Sequence, residues 1–265
     1  SMYDLKNQVA MVTGAGSGIG KAIAWRLVQE GAIIIAADVS QESVEELIKE
    51  IKDSGGEGLA IKTDVSNFGE VQNMVKETLA HFKQIDILVN NAGTGSAGRI
   101  VDYNEEDWDK PLQVNLKGTF LCSQAVAKEM IPRRKGKIVN IASVAGKSGE
   151  EFIGAYCASK FGVIGLTQVL AKELGRYNIN VNAICPGYVW TPMWEELARW
   201  FKEHFSSLAE KTLYEIFTRR VEAVTPLRRP QTPEDIANLT AFLVSEEARN
   251  ITGQAINVDG GAVMH

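Results

Sequence analysis

Residues 11–27 read MVTGAGSGIGKAIAWRL. An apolar run stops at Val12, glycines fall at 14, 16, 18 and 20, and apolar residues then recur at helical spacing. The pattern is a strand, a tight turn and the start of a helix. Gly14, Gly18 and Gly20 let the backbone turn sharply and pass close to a bound anion. The helix start offers that anion free N–H groups and the positive end of a dipole. The spacing is GxxxGxG, and Ile19 stands where a GxGxxG pattern has its third glycine. No GK[ST] follows in register, so the turn is not a P-loop.

Outward from this turn the rhythm repeats. Short apolar runs rich in β-branched residues lie at 8–12, 32–36, 58–62, 85–89, 137–141, 179–184 and 255–258. Helical spacing fills 19–30, 41–54, 68–81, 108–128, 155–174 and 233–245. Strands alternating with helices predict a parallel sheet covered on both faces. The strand runs are continuously apolar, as double cover requires. No linker, repeat or low-complexity stretch divides the chain. The expectation is one α/β domain over 1–265, a doubly wound sheet of seven parallel strands. One segment breaks the rhythm. Residues 190–229 run from WTPMWEELARWFKEHF to TPLRRP, between the sixth and seventh strands. They read either as a helix pair packed on the surface or as a substrate loop or lid, because inserts in such sheets sit at the carboxyl ends of strands.

Composition narrows the function classes. The 265 residues carry a net charge of −5, which argues against nucleic-acid and anionic-membrane partners. No apolar run is long enough to span a bilayer. The N-terminus shows no leader pattern. Cys122, Cys157 and Cys185 are dispersed, without CxxC spacing, which fits a reducing cytoplasm. His81, His204 and His265 are dispersed too, so no metal site is expected.

Asp38 closes the second strand, where a carboxylate can accept both ribose hydroxyls of an adenosine and repel a 2′-phosphate. Val39 and Ser40 follow it, and Ser17 occupies the turn position where a basic residue would suit a phosphate. Both choices point to NAD rather than NADP. The alternative for Asp38 is a solvated loop carboxylate or a helix cap. Asp64 and Val65 close the third strand, in reach of an adenine amino group, and Asn90, Asn91, Ala92 and Gly93 close the fourth, where small residues suit a passing cofactor.

Tyr156 and Lys160 sit in YCASK, four residues apart. With 6 Tyr and 17 Lys in the chain, chance alone supplies roughly 0.4 such pairs. Their neighbours carry the reading. Ser143 ends the fifth strand, Tyr156 and Lys160 share one face of the next helix, and Asn115 lies on the helix before that strand. A tyrosine titrates near 10 and is a poor base at neutral pH. A nearby ammonium is expected to favour its phenolate. The tyrosine then takes a proton from an alcohol or gives one to a carbonyl oxygen. The Ser143 hydroxyl steadies that oxygen, and Asn115 can hold a water linking Lys160 to solvent. Hydride must pass to a nicotinamide, since no side chain carries it. Cys157 to Ser159 need no catalytic role.

TGAGSGIG, Asp64, NNAG, Asn115, Ser143, YCASK and CPGYVWTPM together resemble the short-chain dehydrogenase/reductase family, from about residue 5 to residue 261. The resemblance implies a seven-stranded Rossmann-type sheet and a catalytic tetrad of Asn115, Ser143, Tyr156 and Lys160. It places Pro186, Gly187 and Val189 along the nicotinamide and Thr191 near its carboxamide. It also implies a homotetramer pairing the helices over 108–128 and 155–174. SGEEFIGAYCASK and TPMWEE are similar to bacterial polyol and diol dehydrogenases, so the expected substrate is a polyol, sugar or vicinal diol. Glu150 either accepts a hydrogen bond from a substrate hydroxyl or is a solvated loop residue. Trp190, Met193 and Trp194 either wall the pocket or pack the insert. The alternatives are a 3-oxoacyl-thioester reductase and a non-catalytic NAD-sensing protein on the same fold.

Overall fold

The structure is a computed structural model and describes residues 2–265. Seven strands form one parallel sheet in the order β3-β2-β1-β4-β5-β6-β7. They are β1 (Val9–Thr13), β2 (Ile33–Asp38), β3 (Gly58–Lys62), β4 (Ile87–Asn90), β5 (Gly136–Ile141), β6 (Ile179–Pro186) and β7 (Ala255–Val258). Helices α1 (Gly18–Gln29), α2 (Gln41–Asp53) and α3 (Phe68–Phe82) connect the first four strands. The expected strands are all present, as are the expected helices apart from the one over 108–128, with small shifts at their ends.

β1 explains why the strand runs look continuously apolar. Ala10 and Val12 join a core with Ile23, Leu27 and Ile236, whereas Val9 and Met11 join a second core with Met74, Leu88 and Val126. Each face of the strand has its own covering layer. Fully burying one such aliphatic side chain is worth roughly 1.5–3 kcal/mol, so the two cores set the sheet's position firmly.

The run expected as one helix over 108–128 is more irregular. α4 (Glu105–Pro111) passes into a π-helical turn at Leu112–Lys117 and then into α5 (Gly118–Arg133). Pro111 has no N–H for the carbonyl of Asp107, and that carbonyl instead accepts from the Ser96 hydroxyl at 2.8 Å. Asn115 lies inside the π turn.

After β5, α6 (Gly154–Leu174) carries YCASK in its first two turns. The 190–229 excursion folds as two helices, α7 (Pro192–His204) and α8 (Leu213–Val224). Thr191 caps α7, and Thr212 with Glu215 closes a reciprocal capping box on α8. A second capping box, from Thr232 and Asp235, starts α9 (Pro233–Val244), which packs on α1 and against β5 and β6. Among the described residues no helix is long and apolar enough to cross a membrane.

Candidate active site

The strand order reverses between β1 and β4, and the crevice beyond their carboxyl ends is where such sheets bind ligands. A cavity of about 1080 Å³ opens there. It is continuous from the glycine turn to the helices of the 190–229 excursion.

Gly14, Ser17, Gly18, Ile19 and Asp38 line one end of it. Gly14 and Gly18 have φ of +63° and +51°, conformations that side chains other than glycine rarely hold. A Cβ on Gly20 would strike the Gly14 carbonyl, so this glycine seats the helix under the turn rather than facing the cavity. Ser17 caps α1 without a side-chain hydrogen bond, which leaves the first N–H groups of the helix free for an anion. Asp38 accepts from the Gly16 N–H and the Ser40 N–H, both at 3.0 Å, and keeps lone pairs for further donors. A backbone cradle with a carboxylate at its end fits a dinucleotide. Asp64 and Val65 lie outside the cavity lining. The Asp64 carboxylate turns back onto Ser66, and Val65 is buried against the start of α5 at Gly118.

Asn91, Ala92 and Gly93 continue the lining. Thr13 holds this segment in place. Its hydroxyl accepts from the Asn91 and Ala92 N–H groups at 3.1 Å each, and the Asn91 amide donates to the Thr13 and Gly14 carbonyls. Thr13 was not among the expected residues, although a polar residue closing an apolar strand was its visible signal.

Ser143, Tyr156 and Lys160 line the same cavity, as do Pro186, Gly187, Val189 and Thr191. Ser143 follows β5, and its oxygen accepts the Ala145 N–H at 3.1 Å, leaving its proton to donate. The Lys160 ammonium is buried, donates to the Ile141 carbonyl at 2.7 Å and lies 5.5 Å from the centre of the Tyr156 ring. Burial pushes the Tyr156 phenol up to about 12, against a pull downward from the Ser143 hydroxyl beside it. Burial also takes Lys160 down to about 8. The expected lowering of Tyr156 by Lys160 therefore does not appear in the chain alone. The ammonium spends a hydrogen bond on the Ile141 carbonyl, and burial of the phenol dominates.

Asn115 stands behind this group and does not line the cavity. Its amide donates to the Thr94 carbonyl and the Ser159 hydroxyl, both at 2.9 Å, and its side-chain oxygen accepts from the Thr94 N–H at 2.8 Å. The side chain ties the π turn to the β4 loop and to α6. Its main-chain carbonyl accepts the Thr119 hydroxyl at 2.7 Å, and its side-chain oxygen, with a single donor, keeps a lone pair. Ser159, set aside as having no catalytic role, thus orients a member of the expected tetrad.

At the far end, Glu150, Met193 and Trp194 line the cavity but Trp190 does not. Trp190 packs against Tyr214 and Phe217 of α8, with ring centres 5.2 and 5.1 Å apart. Glu150 is not a free loop carboxylate. Arg220 of α8 donates to it at 2.6 Å, a pairing across 70 residues with no local signal in the chain. Among the described residues no group of three or more His, Cys, Asp or Glu side chains is placed to hold a metal ion.

Comparison with known proteins follows the same lines. The family model described as short chain dehydrogenase matches residues 8–202. The (2S)-[(R)-hydroxy(phenyl)methyl]succinyl-CoA dehydrogenase subunit BbsD of Thauera aromatica is 40% identical, over 97% of this chain and 97% of its own length. The 3-oxoacyl-[acyl-carrier-protein] reductase FabG of Thermotoga maritima is also 40% identical, over 98% of this chain and 99% of its own. An NAD+-bound xylitol dehydrogenase structure superposes with a TM-score of 0.91 at 34% identity, covering 97% of this chain and 99% of the other.

Proposed function

Because the chain belongs to the short chain dehydrogenase family and is an oxidoreductase of that fold, we propose that it moves hydride between NAD(H) and a secondary alcohol or its ketone. One observation carries the reading. Ser143, Tyr156 and Lys160 line the same continuous cavity as the Gly14–Ile19 turn and Asp38, so proton handling and dinucleotide binding share one space. The turn and the start of α1 would hold the pyrophosphate, Asp38 the adenosine ribose, and Lys160 the nicotinamide ribose. Bound NAD supplies the hydride acceptor. Tyr156 takes the alcohol proton, and Ser143 donates a hydrogen bond to the same oxygen. Lys160 supports the phenolate, and Asn115 holds a water that links Lys160 to solvent.

NAD is favoured over NADP because Asp38 opposes a 2′-phosphate and Ser17, Val39 and Ser40 supply no cation to hold one. Of the expected polyol, sugar and vicinal diol classes, the diol agrees best with the apolar wall that Met193 and Trp194 contribute. A 3-oxoacyl-thioester reductase is the second reading, favoured by the 40% identity to the FabG protein. A non-catalytic sensor would not need all four tetrad residues. Residues 190–229 act as the substrate loop in this reading, since α7 and α8 both face the cavity. Exposed Phe120 on α5 and Phe161 and Val169 on α6 support the expected homotetramer through those helices. Initial rates with NAD and NADP on diols and polyols, and with NADH and NADPH on acetoacetyl thioester, test the proposal. Diol oxidation with NAD is the expected result. Turnover confined to the thioester with NADPH would replace it with the second reading.

A further inference from the structure

The proton-handling groups use only part of the cavity. The remaining wall combines two features that the reaction itself does not require. The first is aromatic. Phe152 lies between β5 and α6 with φ of +69°, a strained setting for a residue with a side chain. Its ring meets Trp200 at 5.4 Å, Phe205 at 5.5 Å and Phe201 at 6.1 Å between ring centres, the last two edge to face. All four rings line the cavity beside Met193 and Trp194. Aromatic faces left open to a water-filled space are unfavourable until an apolar guest covers them.

The second feature is polar and electrically balanced. Glu150 and Arg220 pair at 2.6 Å on the cavity wall and keep about a third and a half of their surface, 34% and 45%, accessible. The Tyr188 phenol stands beside the same guanidinium. The pair offers both a donor and an acceptor with no net charge. A neutral hydroxyl or carbonyl can use either, whereas an anion would have to displace Glu150.

From these two features, and resting on the reaction proposed above, we infer that the substrate is a cyclic or aryl secondary alcohol or ketone carrying a second, neutral oxygen. The ring occupies the Phe152–Trp200–Phe205 box, and the second oxygen meets the Glu150–Arg220 pair. Phe152 is then a specificity residue.

The test measures kcat/KM with NAD for 1-phenylpropane-1,2-diol, cyclohexane-1,2-diol, butane-2,3-diol, xylitol and mandelate. The two ring diols are expected to exceed butane-2,3-diol and xylitol by about tenfold or more, the range that apolar pocket contacts deliver. Preference for xylitol or butane-2,3-diol overturns the inference while leaving the reaction in place. So does a preference for mandelate, whose carboxylate would be served by Arg219, which also lines the cavity. If no alcohol is oxidised with either nucleotide, the proposed reaction fails and the inference fails with it. Glycine holds φ of +69° without strain, so Phe152→Gly is expected to fold. It should cut the ratio of phenylpropanediol to butanediol kcat/KM by about tenfold. An unchanged ratio, with NAD binding intact, overturns the role of Phe152. Should that variant lose NAD binding, Phe205→Ala at an open position carries the same comparison. Arg220→Met should raise KM for the aryl diol more than for 1-phenylpropan-1-ol, and an equal change in both overturns the polar half.

Discussion

The two ends of the cavity are built from different material. The dinucleotide end is backbone: a glycine turn with positive φ, the free N–H groups of α1 and one carboxylate that itself braces the turn through Gly16. The substrate end is side chain: four aromatic rings and an ion pair, contributed by the loop before α6 and by the 190–229 excursion. A backbone site binds what every nicotinamide dinucleotide shares, and it tolerates few substitutions because a Cβ has nowhere to go. A side-chain site can be rewritten one residue at a time while the sheet beneath stays fixed. In the proposed reaction, chemistry sits where the two meet, on Ser143, Tyr156 and Lys160.

That contrast can be broken experimentally. The largest effect is expected at the junction. Tyr156→Phe removes the proton carrier and should lower kcat by about 10²–10⁴-fold in both directions, while NAD titration followed by fluorescence still shows binding. The pH dependence follows from the same group. Burial holds the Tyr156 phenol up to about 12, so phenolate is scarce at neutral pH. Oxidation needs the phenolate and should climb as pH rises through about 7 to 9. Reduction needs the protonated phenol and should stay level over that range. A wild-type oxidation profile that flattens below neutrality contradicts this assignment of the base.

Asp38→Ala comes next and acts on the dinucleotide end alone. Losing its hydrogen bonds should weaken NAD binding by about tenfold, at roughly 0.5–1.5 kcal/mol each, and should narrow the gap to NADP. Isothermal titration with both nucleotides measures it, and an NAD affinity equal to wild type would remove Asp38 from the site. The smallest effect is expected at Thr191, which belongs to both ends. Its methyl group faces Gly18 of the turn, and its hydroxyl caps α7 at 3.4 Å from the Trp194 N–H, the long end of a hydrogen bond. Thr191→Val should cost about 0.5–1 kcal/mol of α7 stability, seen as a fall in Tm of a few degrees and a modest rise in KM. A loss of global folding would mean that the excursion is part of the core rather than a movable substrate element.

Local patterns carried most of the fold. Alternating strand and helix runs require only that neighbouring residues share a period. The seven strands and the glycine turn therefore appear where the apolar rhythm puts them. Tyr156 and Lys160 were legible for the same reason, since one helical turn sets their common face. Partnerships were not legible. Nothing near Glu150 announces Arg220, and nothing in a run of three tryptophans separates Trp194, which lines the cavity, from Trp190, which packs on Phe217. The π turn at 112–117 was hidden because its helix still has helical spacing. Only the missing N–H of Pro111 and the Thr119 hydroxyl on the Asn115 carbonyl touch its backbone there.

The chain by itself determined the class of sheet, the dinucleotide turn and the order in which Ser143, Tyr156 and Lys160 arrive at the crevice. These rest on hydrogen bonds and side-chain faces set within a few residues. The tertiary structure alone decided how far the phenol is desolvated, what Asn115 holds and which rings line the cavity. Those depend on groups brought together from 70 residues apart, whose distances no local period encodes.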